Sequence, residues 1–419
     1  MSIGKYLIVV GGPTASGKTA LAIRLARHFG TEIISADSRQ FYRQMDIGTA
    51  KPSEEELSMA PHHLIDHLEL QTEYSVGAYV REALAKLETL FAKHEVVVAA
   101  GGSGLYLRAL CEGLDEFPEV PDHIKGDIEA LYQQQGIEAL QDELKNIDPV
   151  YYQEVDLSNP HRLIRALGVC RASGKPFSSF RKKEVSARLF TPIYLQLHWP
   201  RQQLYARINQ RVDQMMTHGL LSEAKSLFPM RHLNALQTVG YQEVFDYLEG
   251  KQSLEEAVEL IKRNSRRYAK RQLTWMRKKG HWKLFHPEDW DLILEYIRVT
   301  RENGFSIREA TSEIGDKGLS FWSNTQEIAN LSIQTVGKKE FLIPQYWQPT
   351  GTSADQLVLH ELSLRCQDRG AIILALPEWA AALQQHGLVV EKKLKRTPLS
   401  AGNDQTHPLE NWVPLGPQS

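Results

Sequence analysis

Cysteine is scarce. Cys111, Cys170 and Cys366 are the only three in 419 residues and form no CxxC pair, which excludes a disulfide framework and a thiolate zinc site and leads us to expect a reducing, cytoplasmic setting. No apolar run approaches the roughly 18 residues of a membrane span, so no membrane association is expected. The N-terminal run ending in Val9 and Val10 passes directly into Gly-Gly-Pro without a small-residue cleavage pattern, and it reads as a first strand rather than a signal peptide. Excess charge is also absent: 49 Lys and Arg stand against 51 Asp and Glu, a net charge of −2, so any nucleic-acid binding must come from a local patch. With 42% apolar residues, 28 Gly and 19 Pro, the chain is neither disordered throughout nor collagen-like. At roughly 100–200 residues per domain, two or three domains are expected.

Apolar runs at Tyr6 to Val10, Thr31 to Ala36, Glu95 to Ala100 and Thr191 to Trp199 read as buried strands, with a shorter one at Trp282 to Phe285. They alternate with helical patterns such as Lys18 to His28, which predicts a parallel sheet covered on both faces. From Glu112 to about Lys183 the periodicity is helical, as expected for an insertion into the α/β core. After Thr300 the pattern changes: Arg301 to Pro349 reads as irregular, followed by a helix over Ser353 to Asp368, a strand over Ala371 to Leu376, a helix over Glu378 to His386 and a strand-like Leu388 to Arg396. The tail from about 396 is rich in Pro, Gly, Asn and Ser and is expected to be disordered. Cys111 and Cys170 read as buried packing residues.

Gly12-Pro13-Thr14-Ala15-Ser16-Gly17-Lys18-Thr19 matches GxxxxGK[ST], directly after a strand and opening a helix. Backbone N–H groups of such a loop form an anion nest, the helix N-terminus adds positive potential, Lys18 reaches the outer phosphates, and Thr19 is the expected Mg²⁺ ligand. A di- or triphosphate is the expected ligand. The acidic residue that many such sites carry at the end of a neighbouring strand is missing, because Glu95 to Ala100 runs into Gly101-Gly102-Ser103-Gly104. Asp37, at the end of the second strand, is positioned either to accept a proton from an acceptor or to cap the next helix.

Eight ordered segments, GPTASGKT (12–19), SADSRQFYRQMDIGTAKP (35–52), PHHLIDH (61–67), YSVGAYVREA (74–83), GGSGLYLRAL (101–110), NPHRLIRALGV (159–169), VGYQEVFDYLEG (239–250) and RRYAKRQLTWMRK (266–278), resemble the tRNA dimethylallyltransferase family. The resemblance spans about residues 5–290 and does not reach the C-terminal extension. It implies transfer of a dimethylallyl group from dimethylallyl diphosphate to N6 of the adenosine 3′ to the anticodon in tRNA, with diphosphate released and Mg²⁺ as cofactor. On the same resemblance Asp37 is the general base, and Lys18, Thr19, Arg211 and the loop from Gly12 to Thr19 hold the diphosphate. Arg207, one turn before Arg211 on the same face, is a further candidate for the diphosphate. Ser103 stands where the family often has Thr and is either a ligand of the reacting groups or a helix cap. Asp37, Ser38, Arg39 and Gln40, with Ser103, Lys125 and the stretch Asn159, Pro160, His161, Arg162 and Leu163, match tRNA-contacting positions.

Between Lys262 and Lys279 stand nine Lys or Arg and no acid, with Arg263, Arg267 and Lys270 on one helical face and Lys270 and Arg271 as candidate phosphate contacts. The expected architecture is an α/β, P-loop NTPase-like parallel sheet at 1–111 and 191–300. A helical insertion for the anticodon stem-loop follows at 112–190, and 301–419 is an unassigned extension. The expected protein is a monomer. Two alternatives stay open here: a P-loop kinase acting on a small metabolite, and an RNA-binding P-loop protein without catalysis.

Overall fold

In the computed structural model, residues 4–181, 186–278 and 282–304 are described without interruption, and beyond them the described residues are chiefly strands. The first six strands are β1 (Tyr6–Gly11), β2 (Ile33–Ser35), β3 (His62–His63), β4 (Val96–Gly101), β5 (Thr191–Leu197) and β6 (Lys283–Phe285), in one sheet of order β3-β2-β4-β1-β5-β6. Every pair is parallel, with Gly11 beside both Gly101 and Gln196, and Ser35 beside Ala100. The strands are apolar on both faces because helices cover both. Ile8, Val10, Val98, Leu195 and Leu197 lie at the centre of the resulting core. The parallel register brings the carboxyl ends of β1, β2 and β4 to one edge, where open α/β sheets bind ligands.

Twelve helices accompany the strands among the described residues: α1 (Lys18–Phe29), α2 (Glu54–Met59), α3 (Val76–Phe91), α4 (Gly104–Glu112), α5 (Asp122–Ile147), α6 (Pro149–Glu154), α7 (Pro160–Ser173), α8 (Arg201–Thr217), α9 (Leu220–Leu227), α10 (Tyr241–Leu248), α11 (Leu254–Lys278) and α12 (Trp290–Asn303). Helix α1 is bounded by two glycines in the left-handed region, Gly17 at φ 95° and Gly30 at φ 58°. None of these helices is long and apolar enough to cross a membrane. The chain divides into two compact units, 1–110 with 189–419, and 111–188. Among its described residues the second has only helical regular structure. Helices α5 and α7 bury Ile128, Leu140, Leu144, Leu163 and Leu167 together with Cys170, and Cys111 is buried as well.

The extension differs from its sequence pattern. The stretch read as irregular forms β7 (Ser306–Thr311), β8 (Lys317–Ser323), β9 (Gln326–Val336) and β10 (Lys339–Trp347), an antiparallel meander. The short turns between the strands, and consecutive apolar residues such as Phe341-Leu342-Ile343 that break a strict alternation, concealed it. The sheet continues through β11 (Ile372–Ala375), β12 (Leu388–Val390) and β13 (Val413–Pro417) in the order β12-β13-β11-β10-β9-β8-β7. Strand β13 falls within the tail expected to be disordered, because pairing with β11 and β12 supplies backbone partners that composition does not reveal. Of the helix expected over 353–368, residues 357–358 and 360–361 are described as helical. The remainder, the helix expected at 378–386 and Cys366 lie outside the described residues. Phe321, Ala329, Leu357 and Val358 join Phe285, Ile293 and Tyr296 in the core of the first unit. At the centre of that junction the fully buried Lys283 ammonium lies 3.0 Å from the equally buried Glu361 carboxylate, and His360 bridges to Asp289 at 3.3 Å.

Candidate active site

The loop from Gly12 to Thr19 leaves β1 through two residues that need unusual backbone angles, Gly12 at φ 156° and Ala15 at φ 62°. A Cβ on Gly12 would approach the Ser16 hydroxyl to 2.7 Å, so the loop is wound too tightly for a larger residue. Outer supports hold it: Trp199 donates its indole N–H to the Ser16 carbonyl at 2.9 Å, and Arg207 donates Nε–H to the Ala15 carbonyl at 2.9 Å. Arg207 also stacks over Trp199 at 4.4 Å. It therefore braces the loop from behind and is not among the residues lining the cleft, where Arg211 is. That departs from the expected direct contact, because adjacent turns of α8 point the two guanidinium groups differently. Thr14, Ala15, Ser16, Gly17, Lys18 and Thr19 all line a cavity of about 530 Å³ at the carboxyl edge of the sheet. Gly12 and Pro13 belong to the loop but are not among the lining residues.

Lys18 donates to the Pro13 carbonyl at 2.8 Å. Burial lowers its pKa to about 8, against the opposing pull of Asp37 and with a further lowering from Arg211. Burial likewise lowers the Arg211 pKa, offset by Asp37 and Glu56. Arg211 is anchored to the Thr49 carbonyl at 3.5 Å. Two cations and one carboxylate thus converge in a cleft that suits an anion.

Asp37 follows β2 and starts no helix. Its carboxylate accepts from Arg39 N–H at 3.1 Å, an Asx-type turn that leaves the second oxygen directed at the cleft. A Cβ on Gly102 would stand 3.7 Å from both Asp37 Oδ2 and Lys18 Nζ, so the carboxylate and the loop ammonium both approach the backbone just after β4. Ser103 accepts from Ser38 N–H at 3.3 Å and donates to the Ser38 hydroxyl at 3.2 Å. Its carbonyl receives the first bonds of α4, so helix start and site hydroxyl coincide in one residue. The DIGTAKP segment is a structural loop. Glu223 accepts from the N–H groups of Asp46, Ile47 and Gly48, and Lys51 bridges Asp46 and Asp66. Gln40 donates to the carbonyls of Thr49 and Ala50, and Arg39 donates to those of Asn234 and Ala235 at 3.0 Å. Both side chains line the cavity while holding its walls.

Along α11, Arg263, Arg267, Lys270, Arg271, Arg277 and Lys278 are exposed. Lys262 is taken up by Asp213 and Glu259, and Arg266 by Asn209. Lys279 lies outside the described residues. Arg271 and Tyr268 reach the cavity, and Lys270 stays on the outer face. In the helical unit, Lys125 is exposed beside Asp122 at 2.9 Å. Asn159 caps α7 through Arg162 N–H, with Pro160 in the first turn, and His161 and Arg162 are exposed. Neither Arg162 nor Arg165 forms an ion pair among the described residues; Arg165 lies over Phe117 at 5.3 Å. Leu163 is fully buried in the helical core, so its side chain cannot touch RNA as the motif match implied. The sequence reading missed Gln272, which is buried at the back of the cleft. Its spacing of four residues from Tyr268 within the basic run was the available signal.

The family model described as IPP transferase matches residues 40–279. The chain belongs to the IPP transferase family. It is 50% identical over 296 residues to the tRNA dimethylallyltransferase of Christiangramia forsetii, covering 70% of this chain and 98% of that one. It is also 50% identical over 300 residues to the tRNA dimethylallyltransferase of Flavobacterium johnsoniae, covering 70% and 97%. Among solved structures, the full-length tRNA isopentenylpyrophosphate transferase of Bacillus halodurans matches with a TM-score of 0.52 at 36% identity, covering 71% of this chain and 96% of that one. A eukaryotic dimethylallyltransferase described as acting on tRNA shares the fold with a TM-score of 0.62 at 24% identity, covering 71% and 79%. Membership in the IPP transferase family makes the chain a transferase.

Proposed function

We propose that the protein transfers a dimethylallyl group from dimethylallyl diphosphate to N6 of the adenosine 3′ to the anticodon of tRNA, acting as a cytoplasmic monomer. The observation that carries this is that Asp37 Oδ2 and Lys18 Nζ both lie 3.7 Å from one point beside Gly102, the place of an added Cβ. A base for the acceptor and a cation for the leaving group flank one reaction centre. The N6 lone pair attacks the allylic carbon, the bond from that carbon to the diphosphate oxygen breaks, and Asp37 takes the N6 proton. Lys18, Arg211 and the N–H groups of the first turn of α1 stabilise the charge gathering on the diphosphate, which is the largest electrostatic contribution such a displacement receives.

The donor set fits Mg²⁺ only as an ion held chiefly by substrate. Among the described residues no cluster of three His, Cys, Asp or Glu could hold a metal, but Mg²⁺ commonly takes one or two protein oxygens and completes its shell with phosphate and water. Thr19 would be its hydroxyl ligand. When bound, the ion would add charge neutralisation at the diphosphate. The acceptor adenosine must leave its stack to reach Asp37. The exposed face of α11 supplies phosphate contacts through Lys270 and Arg271, and Lys125, His161 and Arg162 supply them in the helical unit.

Incubation with dimethylallyl diphosphate, Mg²⁺ and unmodified tRNA, followed by digestion and mass measurement, tests the reading. N6-dimethylallyladenosine is the expected product. ATP turnover on addition of a small acceptor would instead indicate a kinase, and tRNA binding without a new nucleoside would indicate a non-catalytic RNA-binding protein.

A further inference from the structure

One face of α11 runs along the loop that follows β4. Three residues at the helical spacing i, i+4 and i+7 face it in turn: Tyr268 lies beside Ser103, Gln272 donates to the Gly102 carbonyl, and Trp275 packs where a Cβ on Gly104 would come within 2.2 Å of its ring. Gln272 reaches further than the other two. Its carboxamide oxygen accepts from Thr14 N–H at 2.9 Å, and its carboxamide nitrogen donates to the Gly102 carbonyl at 2.9 Å. Thr14 opens the phosphate loop, and Gly102 precedes Ser103 on the acceptor side. One buried side chain therefore spans the two halves of the cleft. Thr14 N–H, committed to Gln272, is not free to join the anion nest. A Cβ on Gly102 would lie 2.6 Å from the Gln272 nitrogen, so this position accepts only glycine while the bridge stands.

We propose that Gln272 is a positioning residue for the transfer step, fixing the donor loop against the acceptor loop through its two hydrogen bonds. The inference rests on the transferase reading above. Its position next to Arg271, at the cavity, and two residues from Lys270, on the outer face, ties that spacing to the helix expected to hold RNA phosphates. Misplacing reacting groups by about 1 Å costs on the order of 10²-fold in rate, whereas phosphate contacts from the outer face of α11 do not depend on the bridge.

The test uses the full chain with dimethylallyl diphosphate and an unmodified anticodon stem-loop. Turnover by the wild type establishes the transferase reading on its own; its absence would overturn that reading and, with it, this inference. Given wild-type turnover, Gln272→Leu should lower kcat by about 10- to 100-fold, with stem-loop affinity within about twofold of wild type. Gln272→Glu carries a further signature. A neutral carboxyl can accept from Thr14 and donate to Gly102 as the amide does, but an ionised one cannot donate. The kcat of Gln272→Glu relative to wild type should therefore rise as pH falls from 8 to 6, while that of Gln272→Leu stays flat. Wild-type kcat in both variants, or a flat pH ratio for Gln272→Glu, would overturn the proposal. If the Leu variant fails to fold, the Glu ratio decides alone.

Discussion

In the six-stranded parallel sheet the carboxyl ends of β1, β2 and β4 lie at one edge, so the loops after Gly11, Ser35 and Gly101 arrive at a single cleft. The seven-stranded sheet of the extension is antiparallel except for β10 beside β11, and it sends successive loops to opposite edges. The first arrangement gathers chemistry; the second gathers none among the described residues. What the extension supplies is closure of the core, through Phe321, Leu357 and Val358 and the buried Lys283–Glu361 pair. Relatives that match 97–98% of their own length cover only 70% of this chain. The same catalytic sheet therefore occurs in chains that are shorter by about the length of the extension.

The sharpest way to break this contrast is at the cleft. Asp37→Ala should lower turnover by about 10²- to 10⁴-fold, the usual worth of a general base, while stem-loop affinity stays within about twofold; unchanged kcat would remove Asp37 from the mechanism. On the extension side the effect should appear in stability instead. Glu361→Ala removes the carboxylate from beside the Lys283 ammonium, which keeps its contact with His360 at 3.3 Å, and should cost up to about 3–5 kcal/mol, whereas Lys283→Met with Glu361→Leu should return most of it. Denaturant unfolding reads both variants, and wild-type stability in Glu361→Ala would mean that the extension does not dock as described.

A smaller effect concerns pH. Burial holds Lys18 at about 8, below its ordinary value, so its charge is present below that pH and lost above it. Dimethylallyl diphosphate affinity of the free protein should fall by up to about tenfold per pH unit above 8, and Lys18→Met should abolish that slope. The smallest change expected is Lys270→Ala combined with Arg271→Ala, which should reduce the dependence of log K on log salt by about 1.5 for stem-loop binding. An unchanged salt slope would move the RNA away from α11.

Much of the cleft was legible because its residues act through local geometry. A glycine-rich loop between strand and helix is recognisable from eight consecutive residues, and Asp37 was found by its place at a strand end. Other features escaped because their meaning depends on a distant partner. Arg207 and Arg211 are one turn apart, yet only Arg211 lines the cleft. Leu163 sits in a motif that suggested RNA contact but fills the helical core. The strands β7 to β10 were read as irregular because consecutive apolar residues such as Phe341-Leu342-Ile343 break the alternation, and pairing rather than alternation defines them.

By itself the sequence determined the parallel α/β class, the phosphate loop, the candidate base and the basic helix, since each is written in the period or spacing of neighbouring residues. Tertiary structure alone decided which of those residues meet. It placed Gln272 between Thr14 and Gly102 across 258 and 170 residues of chain, and it paired Lys283 with Glu361 in the core. Buried polar groups must find partners wherever the fold brings them, and no local pattern specifies that choice.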